Sequence, residues 1–408
     1  VTVLPFIFGL SLLAIASTYV VYPLLLVVRN AFRPRQRVMD GHEPTVSLVI
    51  SAYNEATVIR QKLQNSLALD YPTEKLEVML ISDASDDGTD SIAQQFAGEG
   101  VRLCRQEARQ GKSAALTRFV PHARGDIVVF SDANSMYEPD AIRKLVRHFR
   151  APDVGYVVGC QKYYLPTDGT PATSEGLYWR YEQFLKRQES RASSVVGGDG
   201  AIYAIRKRLF QPLRTDDISD FVNPLQIVAI GYRGVHEPHA VCYEAATDSL
   251  CGEFRRKARI VNRSVRGLFR VPSVMQPWRA GWFAVQVILH KFVRWLVPLF
   301  LLAMFVSAAA MARVDPRPVT LAVLVLQVAF YGLALLGIIP VLRRNQLFSV
   351  PVYFCAVNLA AGWGLVSAAF GRRFTIWNPE RTVPGSAERG RGEPHVIGAS
   401  RCTVENHR

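Results

Sequence analysis

The first 28 residues carry no charged side chain at all. That absence argues against a solvated N-terminal segment, because a run this long crosses a hydrocarbon core that takes about 20 helical residues. The cysteines lack any CxxC spacing: Cys104, Cys160, Cys242, Cys251, Cys355 and Cys402 are scattered. This excludes a disulfide framework and the usual zinc spacings, and fits reduced, structural thiols. His236 and His239 lie close together, but Pro238 between them blocks a helix that would align both rings, and no third zinc ligand is evident. Acids are scarce, 34 against 48 Lys and Arg, for a net charge of +14. Much of the basic excess lies beside apolar segments and after Gly371, where anionic headgroups account for it. No aromatic-basic motif of a nucleic-acid-binding fold accompanies it, so nucleic acid is not an expected partner. No long internal repeat is present either.

What is there divides the chain. Three further apolar stretches, 292–312, 319–342 and 348–370, follow a polar middle. The expected organisation is a transmembrane helix over 1–28, a soluble domain over 38–270, an amphipathic interface helix over 278–291, about three transmembrane helices over 292–370, and a basic, disordered tail over 371–408. A cleaved signal peptide is the competing reading of 1–28. The segment lacks a basic leader, its apolar stretch is too long, and Arg29, Arg33, Arg35 and Arg37 follow it. Positive charge flanks the cytoplasmic ends of membrane helices, which places the soluble domain in the cytosol.

After a linker, "VMDGHEPT", the soluble region alternates short apolar runs with helical periodicity. Strands are expected at 45–53, 77–83, 101–106 and 126–132, with helices after each. This pattern argues for βαβ units and a mostly parallel sheet. Ligands of such sheets sit at the carboxyl ends of the strands. Three of those ends are polar: Ser51-Ala52-Tyr53-Asn54-Glu55, Ser82-Asp83 and Asp132-Ala133-Asn134. Each alone reads as a helix N-cap; three on one rim read as a binding site. On an extended turn Asp132 and Asn134 point the same way, and their oxygens suit Mg²⁺ or Mn²⁺, which are held by one or two carboxylates plus substrate phosphates. Gly111-Lys112-Ser113 invites a phosphate-loop reading, but the glycine that motif requires five residues earlier is Gln106, so it is rejected. Lys112 at a helix start still suits a phosphate.

The stretches "VSLVISAYNE", "ISDASDDGT", "RQGKSAAL", "FSDAN" and "GGDGAIYAIRK", in this order, resemble the motifs of the membrane-bound family-2 inverting glycosyltransferases, the cellulose, hyaluronan, chitin and poly-N-acetylglucosamine synthases among them. The resemblance covers roughly 45–270. It implies an α/β GT-A domain that binds a nucleotide diphosphate sugar, expected to be a UDP-sugar, with Mg²⁺ or Mn²⁺. It also implies an integral protein of a bacterial inner membrane with its catalytic domain in the cytosol. By the same resemblance Tyr53, Glu55, Asp83 and Lys112 are donor-binding positions, and Asp132 is the metal-binding acid. Asn134 stands where the family has a second acid, which leaves the amide oxygen as the other metal ligand.

The general base of the family precedes a helix ending in Gly-Tyr or Gly-Arg. Asp217 resembles that motif by letters, whereas counting back from Gly231 by the family's helix length selects Asp220. Asp220 is the expected base, taking the acceptor hydroxyl's proton as the sugar carbon is attacked. The family's Gln-x-x-Arg-Trp falls on Arg256, Arg259 and Ile260, so Arg256 and Arg259 join the donor-binding set. The same stretch also reads as a basic helix on the membrane surface. The missing Trp weakens the case for processive synthesis. "HKFVRW", 290–295, carries the Arg-Trp letters too far along the chain and reads as an interfacial anchor.

Three readings result. The first is an inverting transferase extending a polysaccharide or oligosaccharide. The second is a single-addition transferase acting on a membrane lipid. The third is an inactive nucleotide-sugar sensor or scaffold, favoured only by Asn134. A transporter is disfavoured by the low internal polarity of the apolar segments. One conflict stands: three helices after a cytosolic domain put the tail outside. Yet Trp377, Arg381 and Thr382 resemble an element that is cytosolic in polymerising relatives. Either one of the last apolar segments does not cross fully, or that likeness is accidental.

Overall fold

The computed structural model describes residues 3–33, 40–164, 176–245, 250–314, 316–343 and 345–374. Most of the expected tail, with Trp377, Arg381 and Thr382, therefore lies outside the described residues. The chain begins with helix α1 (Val3–Ala31). The alternating region then runs β1 (Val46–Ala52), α2 (Ile59–Leu67), β2 (Leu76–Ser82), α3 (Thr89–Gln94), β3 (Val101–Arg105), α4 (Lys112–Phe119) and β4 (Ile127–Asp132). Next come β5 (Met136–Tyr137), α5 (Ala141–Val146), β6 (Val154–Tyr164), α6 (Gly176–Ala192), β7 (Tyr203–Arg206), α7 (Ser219–Ala229), β8 (Arg233–Ala245) and α8 (Leu250–Arg270). Three long apolar helices complete it: α9 (Trp282–Val314), α10 (Pro318–Leu336) and α11 (Gln346–Ala369).

All eight strands form one sheet in the order β3-β2-β1-β4-β7-β6-β8-β5. The first four are parallel, as the sequence pattern predicts. Beyond β4 the sheet is mixed: β7 is antiparallel to both β4 and β6, and β5 is antiparallel to β8. The expectation of a mostly parallel sheet thus holds only for the half built from repeated strand–helix units. Both faces of β1, β2 and β4 are covered, which is why these strands read as apolar runs; the edge strand β3 is only partly buried. Leu48, Ile50 and Val129 pack with Ile59 and Leu63 of α2 on one face. Val49, Val128 and Phe130 pack with Leu116 of α4 and Val222 of α7 on the other. Registers Ala52↔Ser82 and Ser51↔Asp132 bring the carboxyl ends of three strands to one level. That level is the polar rim.

Four helices are long and apolar enough to cross a membrane, α1, α9, α10 and α11. Helix α9 runs unbroken from Trp282, so residues 282–291 belong to it rather than to a separate amphipathic helix. Both α1 and α9 loosen into π turns, at Ser17–Val21 and Ile288–Phe292, and these meet where the Thr18 hydroxyl donates to the Leu289 carbonyl. Such turns are rare and recur at functional sites. At its far end α1 packs Phe8 on Met304 and Ala308 of α9. At its near end Tyr22 and Leu26 pack on Leu185 and Ala192 of α6.

Helix α11 fastens to α8. A Cβ built on Gly364 would lie 2.5 Å from the Ala258 carbonyl oxygen, and Asn262 donates to the Ser367 hydroxyl at 3.0 Å. Arg266 reaches the Arg372 carbonyl at 2.8 Å, and the Tyr353 ring lies 5.5 Å from that of Tyr178 in α6. Both ends of α11 therefore touch the unit that carries the sheet. Gly364→Ala is expected to separate α8 from α11 at a cost of about 1–3 kcal/mol, because a backbone carbonyl cannot step aside. The measurement is the thermal midpoint of the detergent-solubilised chain; an unchanged midpoint sinks the idea.

Candidate active site

The rim is built around Asp132, the last residue of β4. Lys112 Nζ donates to its Oδ1 at 2.5 Å. Lys112 arrives there because Gly111, at φ 90°, turns the chain from a loop into α4, a conformation only glycine adopts without strain. Asp83 braces that loop from below. It accepts from the Gln110 and Gly111 amides, both at 2.9 Å, and from the Gln106 side chain at 2.5 Å. Both its oxygens are thus engaged in shaping the loop that delivers Lys112. Burial works to lower the Lys112 ammonium, but the charges of Asp132, Asp220 and Glu244 outweigh it and hold the group above its ordinary value.

Asp220 reaches the same spot from the other half of the sheet. It is the second residue of α7, with Ile218 at the cap position and no side-chain cap bond, so it does not serve as the N-cap of that helix. A Cβ built on Gly200 would lie 3.4 Å from Asp220 Oδ2 and 3.6 Å from Asp132 Oδ2. The glycine leaves open the space that both carboxylates face. Burial pushes the Asp220 carboxyl up; Lys112 opposes this, and the nearby Asp199 and Asp132 charges add to it. Asp217 is placed differently. Its carboxylate is buried in an ion pair with Arg270 and accepts the Arg214 amide at 2.8 Å. Its carbonyl receives the Ser113 hydroxyl at 2.6 Å. Asp217 fixes the turn before α7 rather than facing the rim.

Of the two arginines, Arg259 is the one whose charge is felt at the rim. Burial and the like charges of Arg263 and Arg256 lower its guanidinium to about 10, against the pull of Asp220 and Asp132. A buried guanidinium so crowded favours an anion beside it. Arg256 donates to Glu253 at 2.7 Å; burial lowers it, but Tyr163 and Glu253 raise it well above its usual range. Tyr53 lies beyond the end of β1, with the Arg109 guanidinium 3.6 Å over its ring. The Glu55 amide donates to the Thr89 hydroxyl at 2.8 Å, tying the first rim turn to α3. Asn134 is exposed two residues past Asp132.

Three buried groups escaped the sequence reading. Lys62 is fully buried on α2 and donates to the Ser135 carbonyl, its ammonium 4.1 Å from the Tyr137 ring centre. Burial lowers it to about 7. Glu244 of β8 bonds the Ser135 hydroxyl and accepts from Gln161 at 2.5 Å. Burial and the Asp132 charge push it up to about 7. Together these two brace the turn 132–135 from beneath. Arg263 donates to the carbonyls of Thr215, Asp216 and Asp217, pinning the turn before α7. A signal for Lys62 was available: it falls on the buried stripe Ile59, Lys62, Leu63, Ser66 of its helix, where a lysine is rare unless partnered.

The residues suit a divalent cation. Among the described residues no three His, Cys, Asp or Glu side chains form a complete metal cage. Mg²⁺ and Mn²⁺ need none, since they take one or two protein oxygens and leave the rest to phosphates and water. Asp132 and Asn134 can supply two. The crowding of Asp132, Asp199, Asp220 and Glu244, felt in the raised Asp220 and Glu244 carboxyls, is the imbalance that a cation relieves.

Next to the rim lies a cavity of about 280 Å³ between the soluble unit and helices α1, α9 and α11. Tyr163, Trp179, Lys186, Asp199, Arg256 and Ile260 line its domain side. The "HKFVRW" stretch closes it from α9, where Arg294 pairs with Glu182 at 2.6 Å under the rings of Tyr19 and Tyr178.

Residues 47–214 match the sequence profile of Glycosyl transferase family 2. A beta-monoglucosyldiacylglycerol synthase of Trichormus variabilis is 35% identical over 131 residues, 31% of this chain and 28% of that one. A poly-beta-1,6-N-acetyl-D-glucosamine synthase of Staphylococcus aureus is 27% identical over 221 residues, 52% of this chain and 53% of its own length. The chain thus spans about half or less of the curated relatives it matches. Among solved structures, the mannosyltransferase PcManGT from Pyrobaculum calidifontis, in complex with GDP-Man and Mn2+, has a TM-score of 0.66 at 24% identity. It covers 89% of this chain and 100% of that one, and shares the fold. Over residues 47–214 the chain is a family-2 glycosyltransferase domain, set in a GT-A-like fold beside four long apolar helices.

Proposed function

We propose that the chain is an inverting glycosyltransferase that moves a sugar from a nucleotide diphosphate sugar to a growing polysaccharide or oligosaccharide at the membrane. One observation carries this reading: the carboxylates of Asp220 and Asp132 face a single space over Gly200, with Lys112 beside one of them. Asp220 takes the proton of the acceptor hydroxyl as its oxygen forms a bond to the sugar carbon. The bond from that carbon to the diphosphate breaks on the opposite side, and the nucleoside diphosphate leaves with the electron pair. Lys112 and Arg259 stabilise the charge that develops there. Asp132 and Asn134 would hold a divalent metal, which would supply neutralisation of the diphosphate charge. The bound GDP-Man and Mn2+ of the structural neighbour support this class of donor and metal.

The acceptor reading rests on the cavity. Tyr163, Tyr178 and Trp179 offer ring faces, and Trp179 is held by a 2.8 Å bond to the Gln161 carbonyl. Such rings suit sugar faces and stand near Ile260, where polymerising relatives carry Trp. A lipid acceptor is the second reading, favoured by the share of this cavity that α1, α9 and α11 provide. The relatives include both kinds of synthase.

The test is nucleoside-diphosphate release by the solubilised chain with a panel of nucleotide sugars, with and without Mg²⁺ or Mn²⁺, followed by product sizing. Long glycans support the first reading and a singly glycosylated lipid the second. Donor binding that is absent for every nucleotide sugar overturns both. Asn134→Asp supplies the second acid the family usually carries. It is expected to lower the metal concentration giving half-maximal turnover by about tenfold, the equivalent of about 1.4 kcal/mol of added attraction. A half-maximal concentration equal to the wild type's removes position 134 from the metal site.

A further inference from the structure

We infer that a groove between α8 and the end of α11, sharing no lining residue with the acceptor cavity, binds the headgroup of an anionic phospholipid. The groove encloses about 460 Å³. Arg214, Arg266, Arg270 and Arg373 line it, with Phe269 and Leu365 on its apolar wall, and no carboxylate is among its lining residues. Two of the four arginines are already committed. Arg270 pairs with Asp216 at 2.6 Å and with Asp217. Arg266 donates to the carbonyls of Ala368 at 3.1 Å and Arg372 at 2.8 Å.

Arg214 and Arg373 are exposed, and among the described residues neither makes a side-chain hydrogen bond or ion pair. Two exposed guanidiniums lining one groove suit the oxygens of a phosphodiester. The apolar side favours a lipid over a free ion. Phe269 is 57% exposed and Phe370, just past α11, is 82% exposed. Unburied rings at the end of an apolar helix sit well at the level of headgroups, where aromatic belts form. Free phosphate uses the arginines and leaves that wall bare; a phospholipid uses both.

The groove is not part of the proposed catalytic centre. The two are nevertheless linked, because Arg270 of the groove holds Asp217 in the turn before α7.

The experiment uses the full chain in detergent with equimolar phosphatidylglycerol and phosphatidylcholine, reading retained lipid by native mass spectrometry. Wild type is expected to retain phosphatidylglycerol about tenfold or more over phosphatidylcholine, as two interfacial arginines provide. The Arg214→Gln, Arg373→Gln double variant is expected to lose that preference, while Arg279→Gln, outside the groove, keeps it. Excess inorganic phosphate is expected to leave retention unchanged. The single variants, each expected to give an intermediate preference, stand in if the double variant does not fold. Equal retention of both lipids by wild type overturns the inference, as does an unaltered preference in a folded variant. Displacement of the lipid by inorganic phosphate also overturns it, since the groove is then a site for a free anion.

Discussion

Asp220→Asn is expected to cut transfer by about 10³-fold, within the range that a positioned general base contributes, while donor binding stays within about twofold of wild type. An amide of the same shape keeps the packing over Gly200 and the backbone bond from Gly198, but it cannot take a proton. Product release assayed beside equilibrium binding of the donor separates the two effects. The acid side of the pH–rate profile carries the same signature. Burial and the neighbouring carboxylates raise the Asp220 carboxyl above its ordinary value, and a base works only when deprotonated. Activity is therefore expected to be present above that raised value and to fall as pH drops through it, at a higher pH than an ordinary aspartate gives. Asp217→Asn provides the contrast. It breaks the buried pair with Arg270, so its loss is expected in thermal stability, with the acid limb unmoved. Full turnover in Asp220→Asn would remove this residue as the base.

How far the sequence could go is clear from particular residues. Strands β1, β2 and β4 were legible because both faces of each are largely buried, leaving runs such as Ile127 to Phe130 unbroken. The rim was legible because acids and amides follow those runs directly. The second half of the sheet was not. Strand β8 passes through Pro238 and a register shift against β6, features that hide a strand from pattern reading. In the "TDDISD" stretch the count back from Gly231 selects Asp220, but it says nothing of what Asp217 does. Asp217 and Asp220 are both plausible by letters, and only the reach of Arg270 from α8 assigns Asp217 to an ion pair. Lys62 and Glu244 were missed for a related reason. Their significance lies in burial against a turn that is distant in sequence: the apolar stripe of α2 flags Lys62 as buried but not the turn it holds, and nothing local to "CYEA" announces Glu244. The far wall of the cavity belongs to the same class, because Tyr19, Arg294 and Tyr353 come from three different helices.

Arg259→Ala is expected to lower kcat by about 10²-fold or more, the usual cost of removing one preorganised donor from a developing charge. Arg256, Arg259 and Arg263 follow one another at helical spacing along α8, so their charges gather on one side of it. Arg256 is tied to Glu253, and Arg263 donates to the carbonyls of the turn before α7. Arg259 is the one lowered to about 10 by burial and those two neighbours, with the Asp220 and Asp132 charges pulling the other way. An anionic diphosphate between Arg259 and Lys112 relieves that crowding, and the relief grows as the leaving group gains charge. This predicts a loss in kcat larger than any rise in KM, together with weaker inhibition by the nucleoside diphosphate product. Arg259→Lys keeps the charge without the planar fork, so it is expected to recover only part of the rate. Arg256→Ala is expected to raise KM for the acceptor and spare kcat, because Arg256 lines the cavity rather than the rim. If Arg259→Ala turns over at the wild-type rate, the leaving group is held by Lys112 without it. The basic face of α8 is then a docking surface for α11 and the membrane alone.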